Sequence, residues 1–137
     1  MHRDQFIKEH MTTKVITVGP NDTMDKVEHL FETYMIHHVP VVDEGRLIGI
    51  ISKSDYQQIL HGMTLFKSAH SSEYNKAILR SLLAKEVMTE KLVTLKPEDT
   101  IGTAADYFRE NRFHCIPIVD ESRKVKGILT TYDLITV

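Results

Sequence analysis

Two short phrases hold the side chains best placed for chemistry: Ser52-x-x-Asp55 in GIISKSD, residues 49–55, and Thr130-x-x-Asp133 in GILTTYD, residues 127–133. Each sets a hydroxyl and a carboxylate three residues apart where an apolar run gives way to a helical pattern. Residues i and i+3 at a helix start lie on one side, so the two side chains converge. An ionised carboxylate there accepts charge-assisted hydrogen bonds, and the free N–H groups of the helix start favour a nearby anion. The same spacing also writes a capping box, in which hydroxyl and carboxylate satisfy the helix's own backbone. Both readings stand at this point, and they are compatible.

Other chemistry finds less support. Eight histidines invite a metal, but His37 and His38 are adjacent on a predicted strand and point to opposite faces. No His-Glu-x-x-His or Cys-x-x-Cys spacing appears, so no metal site is expected, and His29, His61 and His70 read as solvated surface groups. A Ser52–His114–Asp55 set can be assembled, yet it lacks a Gly-x-Ser-x-Gly elbow, and the six glycines are too scattered for a phosphate loop. The chain is not expected to be an enzyme.

Composition narrows the field further. The 137 residues are 42% hydrophobic and 26% charged, enough to bury a core as a soluble globular protein. A formal charge of −2 provides no basic field for nucleic acid. The lone Cys115 permits no internal disulfide and fits a small apolar strand residue in a reducing compartment. No apolar run approaches the roughly 20 residues that span a bilayer, and MHRDQFIKEH carries acids where a signal peptide is apolar. A cytoplasmic location is expected.

The elements that position the two phrases come from an internal repeat. MTTKVITVGPNDTM from Met11 aligns without a gap on MTEKLVTLKPEDTI from Met88, 77 residues on, and 14 of the 36 positions from Met11 to Arg46 are identical. The register then slips by one residue in a turn, as a tolerated loop insertion does. Each copy predicts a short strand (Val15–Val18 in the first), then Pro20 with Asn21-Asp22 as helix cap. A helix follows, on Met24, Val27, Leu30, Phe31 and Tyr34, matched by Ile101, Ala104, Tyr107, Phe108 and Asn111. A hairpin of VPVV and LIGII about Asp43–Arg46 comes next, and a second helix from about Ser54 to Leu60. The fold class is α/β (α+β), two β-α-β-β-α repeats over 7–61 and 85–137, joined by a helical linker, 62–84. In that linker Ser71 or Ser72 is the candidate cap, and Tyr74, Ala77, Ile78 and Leu82 form the apolar stripe. Copies of this size bury too little surface alone, so they are expected to share a core.

Taken together, Met-Thr-x-x-[Val/Leu]-x-Thr, His-x-x-Pro at His37–Pro40 and His114–Pro117, and Gly-apolar-x-[Ser/Thr]-x-x-Asp, in order and twice, resemble a tandem pair of cystathionine-β-synthase (CBS) domains, a Bateman module. The resemblance covers nearly all of residues 7–137. It implies pseudo-two-fold packing of the copies with two clefts that take an adenosine-containing regulatory ligand: AMP first, then ATP, ADP or S-adenosylmethionine. One cleft would use Ser52, Ser54 and Asp55 with Val93, Ala104 and His114; the other Thr130, Tyr132 and Asp133 with Ile16, Val27 and His37. The carboxylates would hold a ribose, Ile16 and Val93 would flank the adenine, and the histidines would face phosphate. Val27, where the second copy has Ala104, would crowd its adenine. The resemblance further implies a stand-alone sensor that forms a homodimer and signals to an effector protein. The alternative is a ligand-free interaction module acting as a regulatory subunit.

Overall fold

The computed structural model describes residues 2–64, 71–110 and 113–135. After a 3-10 turn, Ile7–Glu9, come α1 (Met24–Tyr34), β1 (His38–Asp43), β2 (Arg46–Ser52), α2 (Lys53–Thr64), α3 (Ser71–Ser81), α4 (Ala84–Val87), α5 (Ile101–Arg109), β3 (Cys115–Val119), β4 (Val125–Thr130) and α6 (Thr131–Ile135). β1 pairs with β2 and β3 with β4, giving two separate two-stranded sheets.

The strand expected at Val15–Val18 shrinks to one parallel bridge. Val18 N–H donates to the Pro40 carbonyl at 3.1 Å, and Val42 N–H donates to the Val18 carbonyl at 2.8 Å. The neighbouring rungs of a parallel ladder would need N–H groups on Pro40, toward Ile16, and on Pro20, toward Val42. Prolines have none, so the ladder stops on both sides. The second copy repeats this at Leu95, bonded to the Pro117 carbonyl at 3.2 Å and to Val119 N–H at 2.9 Å, with Pro117 and Pro97 as the blocks.

The helix caps also differ from expectation. Thr23, not Asn21-Asp22, is the cap residue of α1; Asp22 instead accepts Gly19 N–H at 2.7 Å and pairs with Lys26 at 3.2 Å. The Gly19 N–H, and then Lys26, hold its carboxyl below the ordinary value against partial burial. Thr100 caps α5 by accepting Thr103 N–H at 3.3 Å. Met24, Val27 and Phe31 are buried on α1, as are Ile101, Ala104 and Phe108 on α5, while Tyr34 is exposed; Asn111 lies outside the described residues.

Two compact units result. Unit I comprises Ile16–Asp43 and Ile48–Glu90; unit II comprises Met1–Val15, Glu44–Leu47 and Lys91–Val137. The leading segment of each sequence copy thus belongs with the body of the other copy. In unit II, Ile7 N–H donates to the Asp99 carbonyl (2.8 Å), Lys8 N–H to Pro97 (3.0 Å) and Ile101 N–H to Gln5 (2.9 Å). In unit I, Ala84 bonds Asp22 (2.8 Å), Lys85 bonds Pro20 (3.0 Å) and Met24 bonds Leu82 (2.8 Å) in the same three ways. Ile7 and Ala84 are fully buried in their respective cores.

In the β1–β2 turn Glu44 and Gly45 have φ of 50° and 82°, the conformation of a type I′ hairpin turn. The second hairpin absorbs the extra residue in a longer loop, Asp120–Lys124, with a register shift at Ile118/Val119. Asp120 Oδ1 accepts Ser122 and Lys124 N–H, both at 2.9 Å, and fastens that loop. On α3 the buried anchor is Leu79. Tyr74 and Ala77, expected on the apolar stripe, are exposed, and the side chains of Ser71 and Ser72 lie outside the described residues. α2 runs past its expected end at Leu60, to Thr64.

In unit I the hydroxyl of Tyr56, a buried α2 residue, donates to Glu28 Oε2 on α1. Desolvation, then the charges of Glu32 and Asp25, push the Glu28 carboxyl above its ordinary 4.5, with Lys76 opposing. A carboxyl raised in the fold contributes stability that is present below the unfolded value and lost as pH rises through the folded one. Glu28→Gln retains an acceptor for Tyr56. Its melting temperature should match wild type below pH 4.5 and exceed it increasingly above; parallel profiles from pH 4 to 7 would refute this.

Candidate functional site

The helix starts of α2 and α6 are built alike. Asp55 N–H donates to Ser52 Oγ (3.0 Å) and Ser52 N–H to Asp55 Oδ2 (3.3 Å). Asp133 N–H donates to Thr130 Oγ1 (3.3 Å), while Thr130 N–H (2.9 Å) and its hydroxyl (3.2 Å) donate to Asp133 Oδ2. Both phrases are therefore complete capping boxes. In each, the carboxylate is held at a defined place on its helix start. Among the described residues nothing bonds Asp55 Oδ1, so the box uses one oxygen of that carboxylate.

The histidines join these starts through their backbones. Lys53 N–H donates to the His37 carbonyl at 2.7 Å and Thr131 N–H to the His114 carbonyl at 3.4 Å, while both residues are exposed. Ser54 and Tyr132 are exposed too. Ile16 and Val93 are half-buried, and with prolines opposite them no backbone hydrogen bond among the described residues reaches their carbonyls. Val27 and Ala104 are 0% exposed, each in the core of its own unit, so neither offers surface to a ligand. Cys115 opens β3; burial, then the Asp133 charge, push its thiol up and keep it protonated. Among the described residues no cluster of three or more His, Cys, Asp or Glu is arranged to hold a metal ion, and no helix is long and apolar enough to cross a membrane.

Asp55 also lines a cavity of about 420 Å³ within unit I, together with Gln58, Ile59, Leu82, Glu86 and Val87. It is an open depression rather than an enclosed cleft, and Glu86 on its rim is exposed. Leu82, Glu86 and Val87 lie some thirty residues from Asp55 in sequence and no motif links them, so sequence reading overlooks them. Glu86 accepts Leu83 N–H at 3.0 Å and its own N–H donates to the Leu83 carbonyl at 2.9 Å at the start of α4; leucine has no side-chain acceptor, so this is not a full capping box.

Comparison with known proteins agrees with this architecture. MJ1225 of Methanocaldococcus jannaschii is 28% identical over 132 residues, 96% of this chain; its crystal structure, described as a putative archaeal homolog of g-AMPK, superposes with a TM-score of 0.83. The chain spans only 46% of that protein's length. The CBS domain of a membrane protein from Sphaerobacter thermophilus is 33% identical with a TM-score of 0.83, the match covering 98% of this chain and 88% of that one. Two ligand-bound domain pairs share the fold: MJ0100 with 5′-methylthioadenosine and S-adenosyl-L-methionine (24% identity, covering 96% and 98% of the two chains, TM-score 0.78), and CBSX2 with AMP (22%, 96% and 93%, TM-score 0.76). The family model for the CBS domain matches residues 7–62 and 84–137. The chain belongs to the CBS domain family and carries that domain twice.

Proposed function

We propose that this CBS pair is a non-catalytic regulatory module whose two Ser/Thr-x-x-Asp boxes each serve an adenosine-containing ligand. The observation that carries the reading is the recurrence of the box at both helix starts, with Asp55 Oδ1 unused by the box beside an open depression. A ribose presents two neighbouring hydroxyls, and a carboxylate already anchored through its other oxygen accepts from them at little further entropic cost. The carbonyls of Ile16 and Val93, denied sheet partners by Pro40 and Pro117, suit the exocyclic amine of an adenine. CBSX2 holds AMP and MJ0100 holds methylthioadenosine on the same fold, which supports this reading. In this reading the ligand shifts a conformational equilibrium by binding one state better, and the change passes to a second copy or an effector protein in the cytoplasm.

Asparagine in place of Asp55 or Asp133 keeps the cap acceptor and removes the charge. Each substitution should remove one class of adenosine-binding sites, weakening it about ten- to a hundredfold, the worth of a hydrogen bond to a charged group, with little change in melting temperature. Calorimetric titration of each variant is the check. A ligand-free interaction module is the second reading, favoured by the fact that both boxes are already complete as caps. A thermal-shift panel separates the two, since a hundredfold excess over Kd stabilises by about 2.7 kcal/mol. No shift with AMP, ADP, ATP, adenosine, methylthioadenosine or S-adenosylmethionine would establish the second.

A further inference from the structure

The Met-Thr pair that opens each copy is seated in the same way in both units. Met11 Sδ lies 2.5 Å, and its Cγ 2.8 Å, from the place where a Cβ on Gly127 would stand, and the Met88 side chain fills the same space over Gly49, with Cγ at 2.8 Å. Each thioether therefore occupies a recess that only glycine leaves open. The residue after each methionine makes a reciprocal pair of backbone bonds to the strand beneath, Thr12 with Ile128 (both 2.9 Å) and Thr89 with Ile50 (2.9 and 3.1 Å). Both methionines pack on the core of their own unit and stay partly exposed. Met11 also lines an open depression with Lys8, Lys96 and Lys126. By contrast Met24 is fully buried and Met35 is exposed.

We propose that Met11 and Met88 are paired oxidation sites, converted reversibly to the sulfoxide by a peroxide, and that each conversion releases its segment from the hairpin glycine beneath. The thioether sulfur takes one oxygen from hydrogen peroxide as the O–O bond breaks; sulfur is oxidised by two electrons, and the other oxygen leaves with both protons as water. The product is polar, and enzymatic reduction restores the thioether. Its recess cannot satisfy the new oxygen. At Gly127 the nearest backbone atom is the Thr12 carbonyl oxygen, itself an acceptor, and the Ile128 and Ile50 N–H groups are already bonded. An acceptor buried without a donor is costly, so the oxidised side chain turns out to water and uncovers the glycine. Cys115 competes poorly for the oxidant, because burial, then the Asp133 charge, keep its thiol protonated. Ile50 and Ile128 lie two residues before Ser52 and Thr130, so the loosening reaches the strand ends that carry the Ser/Thr-x-x-Asp boxes.

The test is graded hydrogen peroxide treatment of the full chain, with peptide mass spectrometry following each methionine. Met35 should oxidise first, Met11 and Met88 next, and Met24 only on unfolding. Once Met11 and Met88 are oxidised, the Thr12, Ile50, Thr89 and Ile128 amides should exchange with deuterium about tenfold faster, and the melting temperature should fall by about 5 °C. Methionine sulfoxide reductase with a thiol reductant should reverse both changes. The Met11→Leu, Met88→Leu double variant keeps an apolar side chain without the sulfur, so its exchange and melting should not respond to peroxide. Should that variant not fold, partly oxidised wild type decides: faster exchange at the four amides should follow the Met11 and Met88 sulfoxide content and not that of Met35. Met11 and Met88 as resistant as Met24, or oxidised with the four amides unchanged, would overturn the proposal.

Discussion

Ile7→Ala lowers the unfolding free energy by about 2–5 kcal/mol, the range for truncating a large aliphatic side chain in a core that relaxes only partly. A position this close to the amino end is usually tolerant of change. Ile7 instead is 0% exposed and packs with Leu95, Ile101, Phe108, Ile116 and Leu129 in the core of unit II. Its segment is fastened by backbone hydrogen bonds to Pro97, Asp99 and Gln5–Ile101, so the surroundings cannot collapse into the vacated space without breaking them. Urea denaturation followed by circular dichroism measures the loss. A change under about 1 kcal/mol, typical of a surface site, would mean that the leading segment is not docked as described.

Gly127→Ala is the second large effect. A Cβ there would stand 2.5 Å from Met11 Sδ and 2.9 Å from the Thr12 carbonyl oxygen. The methionine can turn aside, but Thr12 is held by reciprocal hydrogen bonds to Ile128, both 2.9 Å. The substitution should cost about 1–3 kcal/mol, as overpacking does. At Gly49 the three atoms nearest a new Cβ all belong to the Met88 side chain, with Cγ at 2.8 Å and Cβ at 3.0 Å and no backbone atom among them, so Gly49→Ala should cost less. Equal losses, or a stable Gly127→Ala protein, would contradict the packing described. A double-mutant cycle of Gly127→Ala with Met11→Ala should show favourable coupling but incomplete rescue, because the Thr12 carbonyl remains.

These two glycines show what the sequence could and could not convey. Met11 and Met88, and Gly49 and Gly127, are visible as recurring letters. Their being contact partners is not, because each methionine lies on the glycine of the other copy's hairpin. The repeat from Met11 was legible through identical side chains. Its backward extension to Gln5 and Leu82 was not, because there Ile7 matches Ala84 and the equivalence lies in backbone hydrogen bonds. The helices were read from the spacing of Met24, Val27 and Phe31. The loss of the strand at Val15–Val18 was encoded in Pro20 and Pro40, yet seeing it requires knowing that Val18 pairs with Val41. At the candidate site the Ser/Thr-x-x-Asp boxes were readable from local spacing alone. Leu82, Glu86 and Val87 reach Asp55 only through the fold, and their types carry no mark of it.

The crossing of leading segments bears on descent. In this pair each body takes its buried leading residue, Ile7 or Ala84, and the methionine over its hairpin glycine, from the other copy; a polypeptide holding one copy would have to fold its own leading segment back onto its own body instead. Two such chains could complete each other by each inserting its first residues into its partner. Fusing them in tandem turns that mutual insertion into an intramolecular one and removes its dependence on concentration. From then on neither copy can be deleted or shuffled alone without stripping the other of part of its core, so the smallest unit this fold can pass on intact is the pair.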